Sequence, residues 1–306
     1  MRSPTAPRPL LGTACVLAAA SLWGTTGTTQ ALAGGQLHPA WFGAGRVAFA
    51  ALFFLLMAGA TGGWRRSAWA GLPPGAALGA GLCMATYNLA FFAGVQRLGV
   101  GVGTAVALGS GPIWAGLLQA VVQRRAPSLR WWLATAVAVA GGVMLALGSG
   151  GGAKAGPGLS LPGLLLCLLA GLSYAVYTLL NQRMVAHASA PVITLAAFGV
   201  AALVAAPAAW LQAGVPLPTA RDVFALAFTG MVSAGVAYLL FSHALHHISP
   251  ATGVTLALAE PVVAFVLAVA VLGEPAGALS LAGLVAVVGG VLALVRVETA
   301  ASRQLT

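Results

Sequence analysis

The sequence predicts an all-α polytopic membrane protein, with ten transmembrane helices arranged as two inverted five-helix repeats. Composition, segmentation and internal repetition carry that expectation. Hydrophobic residues make up 60% of the chain and charged residues 6%, with a mean hydropathy of +0.97. Soluble domains are about a quarter charged, so this chain cannot cover a water-facing surface. Crossing a bilayer takes about 20 helical residues. Ten apolar segments near that length run over roughly 10–33, 39–60, 72–96, 99–122, 131–148, 160–182, 191–212, 222–245, 250–272 and 278–296. Short charged or turn-rich breaks separate them.

The two halves repeat. Pro112 and Pro261 stand 149 residues apart (261 − 112), and the same offset pairs Phe92 with Phe241, Ala115 with Ala264, Leu118 with Leu267 and Val122 with Val271. After one residue is lost, the run AVAGGV from Ala138 matches AVVGGV from Ala286. Five spans is an odd number, so the second copy enters the membrane with opposite orientation. The glycine-rich stretch Gly148–Pro157 reads as the linker between repeats over 1–150 and 151–306.

A net charge of +10 would elsewhere suggest nucleic acid or an anionic surface. Here the basic residues lie scattered in loops with no basic face, so no nucleic acid is expected as a partner. With the N-terminus inside, the cytoplasmic segments hold Arg2, Arg8, Arg65, Arg66, Arg124, Arg125, Arg130, Arg183, Arg296 and Arg303, while the outer ones hold Arg97, Lys154 and Arg221. That bias puts both termini in the cytoplasm. Arg2, Arg8 and Ala18–Ala20 imitate a signal peptide, but the apolar run continues through Trp23 to Leu32, which suits a retained first span.

Polar side chains are few enough to take span by span. In the first, Trp23, Thr26 and Gln30 share one face. The second carries Arg46, the cation set deepest in a span, about seven residues or roughly 10 Å in from Pro39. It either snorkels to the surface or pairs with a substrate carboxylate or with Glu260. The third span holds Tyr87 and Asn88. Glycines crowd the fourth up to Pro112, which suits close packing and bending rather than a phosphate cradle. The fifth and tenth carry Ala134, Ala138, Gly142 and Ala282, Ala286, Gly290, two stripes suited to packing within the chain or to a homodimer contact. The sixth places Tyr174, Tyr177, Thr178 and Asn181 on one stripe, and the eighth places Tyr238 with Ser242. These groups suit a mid-membrane cavity for a small amphipathic solute; helix–helix hydrogen bonding is the plainer alternative.

His243, His246 and His247 end the eighth span without an acidic or thiol partner nearby, so no metal is expected. Cys15, Cys83 and Cys167 fit neither a zinc site nor a disulfide framework. Four acidic residues in all, with no catalytic triad or cofactor motif, argue against an enzyme. The ninth span holds Glu260-Pro261 about ten residues, or roughly 15 Å, in from Pro250. A charge at that depth costs roughly 2.5–3.5 kcal/mol on insertion scales. Proline also leaves the carbonyl of Ala257 without its helical partner. A broken helix bearing a mid-span carboxylate is what a transport path requires at its centre.

Leu22-Trp23-Gly24-Thr25, Arg46 and the ninth-span run Leu258-Ala-Glu-Pro-Val-Val-Ala…Val-Leu-Gly-Glu274 resemble the EamA family of the drug/metabolite transporter superfamily. The resemblance spans nearly the whole chain. It implies a ten-helix inverted-repeat carrier with cytoplasmic termini, typically exporting amino acids, metabolites or drugs. Where the family pattern has a glycine-glutamate ending in the first repeat, this chain has Gln123-Arg124-Arg125, which makes the arginines topological. The expectation is an inner-membrane exporter working by alternating access. Trp23, Thr26, Gln30, Arg46, Tyr87, Asn88, Tyr174, Tyr177, Asn181, Tyr238 and Ser242 would contact solute, with Glu260, Pro112 and Pro261 in coupling or gating. Protons would enter through a Glu260 that meets Arg46 in only one facing state. A lipid flippase or a membrane-embedded enzyme is the alternative.

Overall fold

The computed structural model describes residues 8–34, 37–148 and 160–303, save the side chains of residue 100 and residues 301–303. Most of the expected linker, Gly148–Pro157, lies outside the described residues. Ten helices are long and apolar enough to cross a membrane. They are α1 (Pro9–Ala33), α2 (Pro39–Ala60), α3 (Pro74–Leu98), α4 (Val100–Val122), α5 (Leu129–Gly148), α6 (Leu161–Val185), α7 (Ala190–Ala213), α8 (Ala220–Ala244), α9 (Pro250–Leu272) and α10 (Ala278–Arg303). A single helical turn, Arg66–Trp69, sits in the α2–α3 connection. Proline stands in the first turn of α1, α2, α3, α6, α7 and α9, where its missing N–H costs nothing.

Every first-half span finds its most extensive neighbour in the second half: α1 on α8 and then α9, α2 on α7, α3 and α4 on α6, and α5 on α10. The repeats are therefore interleaved rather than packed as two separate bodies. Glycine makes the closest of these seams possible. A methyl added at Gly141 would stand 2.5 Å from the Val287 nitrogen, and one at Gly290 would stand 2.6 Å from the Ala138 nitrogen. The small-residue stripes of α5 and α10 thus meet each other within the chain. An added Cβ at Gly142 meets nothing within 4 Å, so the seam runs through Gly141 in its place.

Two spans depart from regular α-helix. In α8 the stretch Phe228–Val236 is π-helical, and its Gly230 lies against the Arg46 carbonyl and Phe49 of α2. In α9 the helix stops at Leu256 and restarts at Ala259. The N–H of Glu260 donates to the Ala257 carbonyl at 2.9 Å, so the acceptor that Pro261 strands is taken up by a tighter turn. The Glu260 carboxyl is not needed to satisfy it. Pro112 lies inside a continuous α4, and the repeat is broken in one copy alone.

Candidate functional site

Seven spans surround a cavity of about 640 Å³. The α1 wall supplies Trp23, Thr26 and Gln30, α2 supplies Arg46, and α3 supplies Tyr87, Phe91, Phe92 and Gln96. Thr104, Leu108 and Gly111 come from α4, Tyr174 from α6, Tyr238 from α8, and Val254, Ala257 and Glu260 from α9. The rim carries Gln30, Pro39, Gln96 and Gly99, all near helix ends that face away from the chain termini. The cavity therefore reaches from that face to about the middle of the molecule.

An aromatic plate forms the floor. Trp23 stands 6.4 Å from Tyr174 edge-on, 5.0 Å from Tyr238 and 5.5 Å from Phe241, centroid to centroid. On three of the lining residues a polar atom is buried without a hydrogen-bond partner among the described residues: Trp23 Nε1, Thr26 Oγ1 and the Tyr174 hydroxyl. All three can donate. Arg46 and Glu260 are the charged side chains of the lining. They lie within electrostatic reach, yet among the described residues no hydrogen bond or ion pair joins them. Both side chains belong to the cavity lining.

The remaining candidates are placed elsewhere. Tyr177, Asn181 and Ser242 lie buried beneath the floor, where Asn181 Nδ2 donates to Tyr177 Oη at 3.0 Å and to Ser242 Oγ at 2.9 Å. Their stripe points into a helix–helix contact of α6 with α8. Asn88 turns from the cavity into a small niche between α2, α3 and α7, with its amide donating to the Met84 carbonyl. Pro112 and Pro261 do not line the cavity, but Leu108 and Ala257, whose carbonyls they strand, both do. Irregular backbone at membrane depth is tolerated where it borders such a space. Gln96, Thr104 and Val254 were missed from the sequence. Extending the Tyr87 face by i+4 steps reaches Phe91 and Val95, and Gln96 stands beside them at Phe92 plus four.

The histidines sit at the opposite end, His243 in the last turn of α8 and His246 and His247 just beyond it. Burial, then the neighbouring His243, holds His246 and His247 below the ordinary imidazole range, and the Arg8 N–H donates to His247 Nδ1 at 3.3 Å. Among the described residues no group of three or more metal-ligating side chains could hold a metal ion.

The sequence profile of the EamA-like transporter family matches this chain twice, over residues 10–147 and 161–296. The chain belongs to the EamA-like transporter family. This EamA-like chain is also 34% identical over 279 residues to a protein of Bacillus subtilis (strain 168) described as "Uncharacterized transporter YwfM", covering 91% of this chain and 92% of that one. A solved structure titled "Crystal structure of protein" superposes with a TM-score of 0.79 at 19% identity, over 96% of this chain and 98% of the other. That likeness concerns the fold alone. The EamA-like chain is thus a multi-pass membrane transporter.

Proposed function

We propose that the protein exports small amphipathic solutes, amino acids or drug-like compounds with an aromatic or apolar part, across a bacterial inner membrane by alternating access. The observation that supports this reading most is the cavity itself: about 640 Å³, floored by aromatic rings and bordered by the guanidinium-bearing Arg46 and the carboxyl-bearing Glu260. Volumes of about 300–1,000 Å³ with a few placed polar groups are usual for small-molecule sites. Arg46 would take a carboxylate, Glu260 an ammonium, and the Trp23–Tyr174–Tyr238 plate the apolar remainder. With both termini cytoplasmic, the cavity faces outward. The family profile matching once in each half is consistent with two inverted repeats exchanging roles between facing states.

Glu260 is the proposed coupling group, taking a proton in one facing state and releasing it in the other. Glu260→Gln preserves size and hydrogen bonding while removing the charge change. In proteoliposomes it should still exchange labelled solute but lose accumulation driven by a pH gradient. Unchanged pH-driven accumulation would remove the coupling role. A thermal-shift screen of the purified protein against amino acids and amphipathic amines supplies the solute for that assay.

A further inference from the structure

The cavity is closed toward the face of the chain termini, and the closure is polar where it could have been apolar. Its key element is the corner Ile248–Thr252 that ends the α8 connection and begins α9. Three helices reach this corner with side chains. From α4, Gln119 Oε1 accepts from the Ala251 N–H at 3.3 Å. From α6, Gln182 Nε2 donates to the Ile248 carbonyl at 3.5 Å, and its own Oε1 accepts from Gln123 Nε2 at 2.9 Å. From α10, Glu298 Oε2 accepts from Thr252 Oγ1 at 2.9 Å, and the Ser249 N–H donates to the same carboxylate. Ser249 Oγ accepts from the Thr252 N–H and donates to Thr252 Oγ1, so the serine, the threonine and the carboxylate form one relay.

The matching corner of the first repeat is built differently. There α4 begins after Gly99, which offers no side-chain cap and forms part of the open rim. Pro112 in α4 and Pro261 in α9 identify the two helices as counterparts. One corner is clamped by side chains from three helices, and among the described residues its counterpart receives no such side-chain hydrogen bond. The clamped corner lies on the closed side and its counterpart on the open side.

We propose that Glu298 is a positioning residue of the transport cycle: with Gln119 and Gln182 it latches the Ile248–Thr252 corner and holds the cavity shut toward the termini face. The latch rests on the alternating-access reading of the cavity. Every group it engages is an amide, a hydroxyl, a carbonyl or a carboxylate, so water admitted by opening can replace each contact. That makes the corner a two-state element, whereas a purely apolar seal would lose its contacts without replacement. Glu298 does not touch the cavity. It acts through Thr252 and Ser249.

Labelling from each face tests this without any knowledge of the solute. Cys15, Cys83 and Cys167 are first replaced by Ala, and Thr26→Cys is placed in the cavity as a reporter. The protein is reconstituted in sealed vesicles whose orientation is read from a C-terminal tag, and an impermeant maleimide is applied to one face at a time. With the latch intact, labelling should come from the cavity-mouth face. Glu298→Ala should raise labelling from the termini face about 5-fold or more, the lower range of coupling between two states. Glu298→Gln, which keeps an acceptor for Thr252, should return it most of the way. Adding Thr252→Val to Glu298→Ala should add little, because both remove the same contact. General loosening is distinguished by retaining Cys167 alone as the reporter: it is fully buried and should stay unlabelled when only the gate opens. Should Glu298→Ala fail to fold, Gln182→Leu tests the α6 arm of the same latch with the same expected rise. Termini-face labelling unchanged in the folded variant, or a rise matched by Cys167, overturns the latch. Absence of solute flux in the wild-type protein, with the labelling shift intact, would instead overturn the transport reading.

Discussion

Two glycines one turn apart in α1 have opposite surroundings. A methyl at Gly24 would stand 2.7 Å from Val263 Cβ and 2.9 Å from the Glu260 carbonyl, whereas one at Gly27 meets nothing within 4 Å and projects toward the cavity. Gly24→Ala should therefore force α1 away from α9 and destabilise the protein by about 1–3 kcal/mol, the usual range for overpacking. Gly27→Ala should leave the melting temperature in detergent near that of the wild type. Equal melting temperatures for the two variants would contradict the α1–α9 contact. The sequence marks Leu22-Trp23-Gly24-Thr25 as a resemblance motif without saying which of its atoms touches what. Similar limits apply to Asn88, Tyr177, Asn181 and Ser242. Polarity at membrane depth identified them, but polarity serves equally for a cavity wall and for a buried hydrogen bond between helices. Only the direction of each side chain separates the two, and direction depends on helix rotation, which a ten-span chain sets by packing.

Among the elements, α9 carries the sharpest consequence of a single residue type. Pro261 prevents an N–H from reaching the Ala257 carbonyl, Glu260 supplies its own N–H to that carbonyl at a tighter spacing, and the helix is interrupted between Leu256 and Ala259. Pro261→Ala restores the missing donor and should let α9 run through. Solute flux should then fall several-fold while membrane insertion and yield stay unchanged. Pro112→Ala should have a smaller effect, since α4 is already continuous. Equal loss of flux in both variants would show that the break is not what matters. The α9 break was legible because proline removes a helical N–H, although Pro112 inside a continuous α4 shows that this loss alone does not interrupt a helix. The π-helical stretch of α8 was not. Nothing in Phe228–Val236 announces it beyond Gly230 and Gly235, whose close neighbours Arg46, Phe49 and Phe53 come from another span.

At the scale of the molecule, ten spans and their approximate limits follow from apolar runs cut at charged and turn-rich breaks, and the described helices match them within a few residues, save α10, which runs on to Arg303 from an expected end at 296. The interleaving of the halves did not follow. A repeat in sequence specifies two similar units and leaves open whether they pack beside or through each other; the contacts of α1 to α5 with second-half spans settle it. The arginine distribution predicts both termini in the cytoplasm. A reporter fused after Thr306 should be active on the cytoplasmic side alone, and one inserted within 149–158 should be active on the opposite side. Activity of both on one side would break the inverted arrangement and reverse the facing assigned to the cavity.

The one-sided cavity also has an electrical consequence. Water and mobile ions entering from the rim would bring the potential of the rim side down to the aromatic plate. The membrane voltage would then fall mainly across the packed half between Trp23 and the α9 corner. A solute with balanced charges on Arg46 and Glu260 would cross that thin barrier without electrical work, whereas each uncompensated charge would meet about 2.3 kcal/mol per 100 mV.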